Sequence, residues 1–219
     1  PAGTVLDVPC GSGQFTRRLS EGGYAVVAAD IACELDLPNV RFAKADMNAR
    51  LPLANAELDA VVCIEGIEHL ERPFDFLREC RRATRDDGWI LITTPNTSAL
   101  RSRWRFFLTG FHNKCKYMLD EAAPNPRHHI HMFGLPELRY ALHTTGWRID
   151  VVTTNRIKAV NWLYAPCVPV QYLATTIANA RAKEQDINRS LSKDVLRQML
   201  SPSVLFGESL IIAARAASR

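Results

Sequence analysis

The 219-residue sequence lacks the marks of several protein classes. Its six cysteines, at 10, 33, 63, 80, 115 and 167, form no Cys-x-x-Cys pair, and several sit inside apolar runs. That usage fits reduced thiols in a cytosolic protein better than a disulfide framework. No apolar run reaches the roughly 18 residues that a membrane-crossing helix needs. Strong charge of either sign is missing as well: 27 Lys and Arg against 23 Asp and Glu leave a formal +4. So mild a balance permits an anionic substrate or surface without demanding a polyanion. With no zinc-finger or other nucleic-acid motif, no nucleic-acid partner is expected. Internal repeats and low-complexity tracts are absent. No signal peptide is visible, and because the chain opens at Pro1, almost on its first strand, further residues upstream are expected.

What is present is an alternation of strand and helix patterns. Short Val-, Ile- and Ala-rich strands are expected at 4–8, 24–30, 40–46, 58–65 and 89–94. Helices are expected at 14–22, closed by Gly22 and Gly23, and at 73–85, opened by Pro73. Phe74, Leu77 and Cys80 are expected on the inner face of the second helix. The link from Asp30 to Val40 is too short for a full helix. A helix at 135–146, a strand at 147–154 and a last strand at 207–214 follow. Strands this apolar, separated by helices, predict one α/β domain over 1–219: a mostly parallel, Rossmann-like, seven-stranded sheet with helices on both faces and an antiparallel last strand. Residues 97–130 then form a lid or acceptor-side insertion, and 155–206 an insertion between the last two strands.

The stretch "VLDVPCGSGQF" carries the first chemical signal. A strand runs into a glycine turn and then a helix, which places backbone N–H groups beside a ligand. A dinucleotide fingerprint requires G-x-G-x-x-G. Counted from Gly11 it meets Thr16, and counted from position 9 it meets Pro9 and Gln14, so the dehydrogenase reading fails in both registers. Acids instead punctuate successive strand ends. Asp7 suits an ammonium group, Asp30 ribose hydroxyls, and Asp46 an adenine amine with Met47 as apolar packing. Glu65 and Gly66 close the fourth strand. A ligand built of an amino acid, a ribose and an adenine uses all of these positions.

Together, "VLDVPCGSG", "VVAADI", "AKADMNARLPLANAELDAVVCIEGIEHLERP" and "LRECRRATRDDGWILITTPN" resemble the motifs of class I S-adenosylmethionine-dependent methyltransferases. "EGIEHLERP", "ITTPN" and "HMFGLPELRYALHTTGW" are similar to the ubiquinone-biosynthesis O-methyltransferase type and its relatives in polysaccharide clusters. The resemblance covers 4–154 and the last strand. It implies S-adenosylmethionine as cofactor and S-adenosylhomocysteine as product. It places Asp7, Gly11 and Gly13 at the methionine end, Asp30 at the ribose, Asp46 and Met47 at the adenine, and Ile64, Glu65 and Gly66 below the sulfonium. Pro9 departs from the glycine that the family usually carries and removes one N–H donor.

Histidine suits general-base work on a hydroxyl acceptor. His69, in "EHL", and His131, in the cluster His128, His129 and His131, are the candidate catalytic residues. Cys115 and the histidines match no standard zinc spacing, so no metal is expected. The acceptor is expected to be a small molecule or a lipid- or sugar-linked hydroxyl. The alternative is a catalytically silent cofactor-binding module that scaffolds a biosynthetic complex. Residues 100–111 interleave Arg101, Arg103 and Arg105 with Trp104, Phe106, Phe107 and Phe111. That pattern suits an anionic membrane surface or a lid helix whose aromatics pack on the core. Residues 160–183 suit a hydrophobic acceptor, a second subunit or the same membrane face. Leu191, Val195 and Met199 form a helical stripe for the core or a dimer contact. The expected location is the cytoplasm, including the inner face of the membrane.

Overall fold

Apolar, largely β-branched runs build the sheet of the computed structural model, which describes residues 2–32, 34–116, 118–182 and 189–217. The strands are β1 (Thr4–Asp7), β2 (Ala25–Asp30), β3 (Val40–Lys44), β4 (Leu58–Ile64), β5 (Thr84–Pro95), β6 (Trp147–Thr154) and β7 (Ser209–Ala216). They lie in the order β3-β2-β1-β4-β5-β7-β6. The first five pair in parallel, while β7 runs antiparallel to both neighbours, β5 and β6. The expected sheet and its reversed last strand are therefore present. From β1 the chain leaves once toward β2 and β3, and β4 returns to the other side of β1. The crevice at the carboxyl ends of β1 and β4 is thus the topological switch point, where open α/β sheets bind ligands.

The helices are α1 (Gln14–Glu21), α2 (Pro73–Ala83), α3 (Leu100–Thr109), α4 (Leu135–Thr144), α5 (Val168–Ala182), α6 (Arg189–Met199) and α7 (Pro202–Phe206). Pro73 occupies the first turn of α2, where a missing N–H costs nothing. The inner face of α2 is Phe76, Leu77, Cys80 and Ala83, all fully buried. Phe74, expected on that face, is only partly buried and meets Tyr140 edge-on at 6.3 Å. The i, i+1, i+4, i+7 series from Phe76 faces the sheet, and Phe74 falls outside it. The helix also stops at Ala83, two residues before the expected end, because Thr84 turns to extended backbone and joins β5. Trp147 at the start of β6 is buried and donates its indole N–H to the Leu77 carbonyl at 3.1 Å, tying β6 to α2. Burying side chains of this size stabilises by about 1.5–3 kcal/mol each.

Residues 155–206 form a 3₁₀ stretch, Ala159–Cys167, followed by α5, α6 and α7. Pro166 lies in the 3₁₀ stretch and Pro169 stands in the first turn of α5, so the two prolines divide this region into successive helices. Val195 and Met199 of the α6 stripe pack on the main core. Cys33, Lys183 and the surroundings of Leu191 lie outside the described residues.

Candidate active site

Strand ends β1 to β4 converge on one cavity of about 1030 Å³. Every residue expected at the cofactor lines it except Gly13: Asp7, Gly11, Asp30, Asp46, Met47, Ile64, Glu65 and Gly66. Gly13 stands immediately behind, as the N-cap of α1 with φ 76 and no side-chain cap. The first N–H groups of α1 are therefore open to a ligand. Its positive φ is the conformation that calls for glycine at Gly13.

Asp30 organises the loop. One carboxylate oxygen accepts the Gly11 N–H at 2.9 Å and the other accepts the Ala32 N–H at 2.8 Å. Asp7 is buried and accepts the Thr16 hydroxyl at 2.5 Å. Burial raises its pKa, and the Thr16 hydrogen bond opposes that rise. Thr16 was legible only as a missing glycine, yet it orients Asp7 in the cavity wall. Pro9 lies against Gly66, where an added Cβ would come 2.3 Å from Pro9 Cδ. The proline ring thus fills the space that the glycine leaves, and the departure at position 9 is accommodated within the cavity wall. Glu65 adopts φ 47, unusual for a residue with a side chain, and its N–H donates to both the carbonyl and the hydroxyl of Thr93.

The two histidine segments meet although about 60 residues separate them. His69 Nδ1 lies 3.0 Å from the His128 carbonyl, the His131 N–H donates to the Glu68 carbonyl at 2.9 Å, and His131 Nδ1 lies 2.6 Å from the Leu70 carbonyl. Residues 128–131 are in this way fastened along the turn Ile67–His69. A carbonyl can only accept, so both Nδ1 atoms carry the proton. His69 lines the cavity with His128; His131 does not, and its ring stacks on Phe133 at 5.7 Å.

Behind His69 the Glu68 side chain is wholly buried. It accepts the Thr94 hydroxyl at 3.1 Å and leaves its other oxygen without a partner. Burial raises its pKa to about 8. His129 stands edge-on to His69 at 4.8 Å, and burial together with the charges of His69 and Lys114 lowers its pKa. Among the described residues, Glu68, His69 and His129 are the set whose donor atoms, all within 4.8 Å of one another, come close enough to share a cation. Cys115 does not belong to it. This cluster was not legible, because Glu68 reads as an ordinary helix-start acid.

Residues 100–111 do not pack their aromatics on the core. Trp104 and Phe106 are half exposed and Phe107 is 77% exposed, so the covered-lid expectation is corrected. The inner residues of α3 are Leu100 and Ser102 instead. In the following region Tyr164 and Val168 pack with Leu100, Leu205 and Phe206 in a second small core, whereas Leu163, Val170 and Tyr172 are exposed.

A reversed seventh strand, a switch-point cavity edged by strand-end acids and a glycine turn opening a helix together define the class I S-adenosylmethionine-dependent methyltransferase fold. A family model described as a methyltransferase domain matches residues 1–152, and the chain belongs to that family. Ubiquinone biosynthesis O-methyltransferase from Paracidovorax citrulli is 27% identical over 162 residues, which make up 69% of this chain and 65% of that protein. A SAM-dependent methyltransferase from Archaeoglobus fulgidus superposes with a TM-score of 0.58 at 20% identity, covering 97% of this chain and 85% of that one. Burkholderia thailandensis 1,6-didemethyltoxoflavin-N1-methyltransferase, solved with 1,6-didemethyltoxoflavin and S-adenosylhomocysteine, superposes with a TM-score of 0.55 at 15% identity, covering 99% of this chain and 72% of that one.

Proposed function

We propose that the protein methylates a hydroxyl of a small or lipid-linked acceptor, with His69 as the base. The observation that supports it best is a single cavity edged by Asp7, Gly11, Asp30, Asp46 and Gly66, with His69 in its wall. The residues fit the cofactor: Asp30 lines the cavity at the ribose position, the uncapped N-terminus of α1 faces the methionine position, and Met47 is buried beside Asp46. S-adenosylmethionine, when bound, supplies a methyl group already activated by its sulfonium. The chain's residues therefore need only orient the acceptor, exclude water and take one proton. Because Nδ1 of His69 is spent on the His128 carbonyl, Nε2 is the atom that accepts it. His131, held by Leu70 and Glu68, positions the segment that carries His128.

Calorimetry tests the cofactor. The folded chain is expected to bind both S-adenosylmethionine and S-adenosylhomocysteine. Asp30→Ala, which removes two loop hydrogen bonds and the ribose contact, is expected to weaken binding by about tenfold or more. Absence of heat with either ligand would overturn the reading.

A lipid surface is the occupant favoured for the exposed apolar face. Trp104 and Phe107 on α3 and Trp162, Leu163 and Val170 further along are half or more exposed. Exposed aromatic and aliphatic anchors of this kind match a membrane interface. No helix among the described residues is long and apolar enough to cross a membrane. Co-sedimentation with phosphatidylglycerol-containing vesicles is expected to be lost in Phe107→Ser/Leu163→Ser. An unchanged soluble fraction of the unmodified chain, or self-association that the same pair abolishes, would assign the face elsewhere.

A further inference from the structure

A second, smaller cavity of about 180 Å³ opens at the carboxyl end of β5. Arg101, Lys114, Lys116 and Lys158 line it, against one acid, Glu208. That acid is already satisfied: Lys158 lies 2.7 Å from one oxygen and Arg156 pairs with the other, which holds its pKa down at about 2. Arg101, Lys114 and Lys116 make no ion pair among the described residues, so the cavity keeps an uncompensated positive charge.

The lysines are brought there by a built turn. Buried Ser102 on α3 shares a 3.0 Å hydrogen bond with His112 Nδ1 and accepts the Asn113 N–H at 3.3 Å. His112 stacks on Phe106 at 4.5 Å, and Arg105 donates to the Lys116 carbonyl at 3.1 Å. The segment after α3 is thus folded back, so that Lys114 and Lys116 share one cavity with Arg101. The same wall holds Asn96 and Asn161, 4% and 5% exposed. Their amide N–H groups are spent on carbonyls of 203–207, and each Oδ1 has no partner. Two carboxamide oxygens that lack a donor, beside three cations that lack an anion, describe the complement of a hydroxyl-bearing anion.

We propose that this cavity is an anchoring subsite for the acceptor, and that it takes a phosphate group carried next to free hydroxyls. The inference rests on the methyltransferase reading for what happens at the other end of the acceptor. Its position supports that link. Thr94 and Glu68 are joined by a hydrogen bond; the residue after Thr94, Pro95, lines the small cavity, and the residue after Glu68, His69, lines the large one. The charge of Lys114 reaches both Glu68 and His129. Arg101 offers a planar fork to phosphate oxygens, and the lysines add point charges.

Titration calorimetry of the full chain saturated with S-adenosylhomocysteine tests this, with inorganic phosphate and glycerol 3-phosphate as probes. Saturable binding is expected, tighter for glycerol 3-phosphate because it brings hydroxyls. Lys114→Ala/Lys116→Ala, at exposed positions, is expected to weaken it by about tenfold or more, and Lys114→Arg/Lys116→Arg to restore it. Phosphatidic acid vesicles form a second arm. Loss of vesicle binding with unchanged glycerol 3-phosphate affinity in the alanine pair would overturn the subsite, as would phosphate binding that the pair leaves intact. Retention of both sources to the same reduced degree assigns the phosphate to a lipid headgroup as well as a soluble ester. S-adenosylhomocysteine affinity, measured in the same samples, separates the two failures: its loss sinks the methyltransferase reading alone.

Discussion

Replacing His69 with glutamine lowers methyl transfer by about two to four orders of magnitude and leaves S-adenosylhomocysteine affinity within about twofold. The asymmetry follows from the two sides of the imidazole. Nδ1 is occupied by the His128 carbonyl and fixes the tautomer, which leaves Nε2 as the proton acceptor. Glutamine can keep a hydrogen bond to that carbonyl and preserve the wall of the cavity, but it cannot take a proton at neutral pH. The proposed cofactor positions on β1, β2 and the loop after β3 are untouched by the change. Single-turnover transfer of a labelled methyl group to a phenolic probe, with KM and kcat separated, reads the effect. The loss belongs in kcat, and added imidazole is expected to recover part of it. His131→Gln supplies the contrast. Its ring lies outside the cavity and holds Leu70, so it is expected to cost stability and only a modest part of kcat. An equal loss of turnover and cofactor affinity in His69→Gln would reduce His69 to a structural residue.

That contrast between two histidines marks the limit of what the linear order conveys. The strand ends were legible because each acid follows a short apolar run, and a parallel sheet must bring such ends to one rim. Asp7, Asp30 and Asp46 consequently stood out without any contact information. The glycine turn was legible for the same local reason. His69 and His131 could be nominated but not ranked, since the hydrogen bonds that rank them span about 60 residues. Thr16 and Glu68 were illegible in a different way. Each is a common residue on an amphipathic segment, and only burial turns it into a partner for Asp7 or for the histidines. The aromatics of α3 misled because their spacing allows an inward stripe, yet Leu100 and Ser102 fill the inner positions and Phe107 is left outside.

Glu68→Gln is expected to stabilise the protein, and by an amount that grows with pH. In the folded chain the Glu68 carboxyl has no exposure, one hydrogen bond from Thr94 and one oxygen without a partner, which lifts its pKa from 4.5 to about 8. Between those values the unfolded chain has already released this proton while the folded chain still holds it. Stability must therefore fall as pH rises through that window, and level off above the folded value. The shift corresponds to roughly 3–5 kcal/mol at pH 8, against almost nothing below the unfolded value. Glutamine keeps an acceptor for Thr94, adds a donor and removes the titration altogether. Urea midpoints at acidic, neutral and mildly alkaline pH, with EDTA present to strip cations from the His69–His129 cluster, should diverge steadily between variant and parent. Parallel profiles would show that the carboxyl is not held protonated. A buried acid retained at this cost, one residue from His69 and within reach of His129 and Lys114, is expected to serve the site. The stabilised variant should accordingly be slower, by about tenfold in kcat, because glutamine cannot ionise to hold the histidine once that histidine takes up a proton.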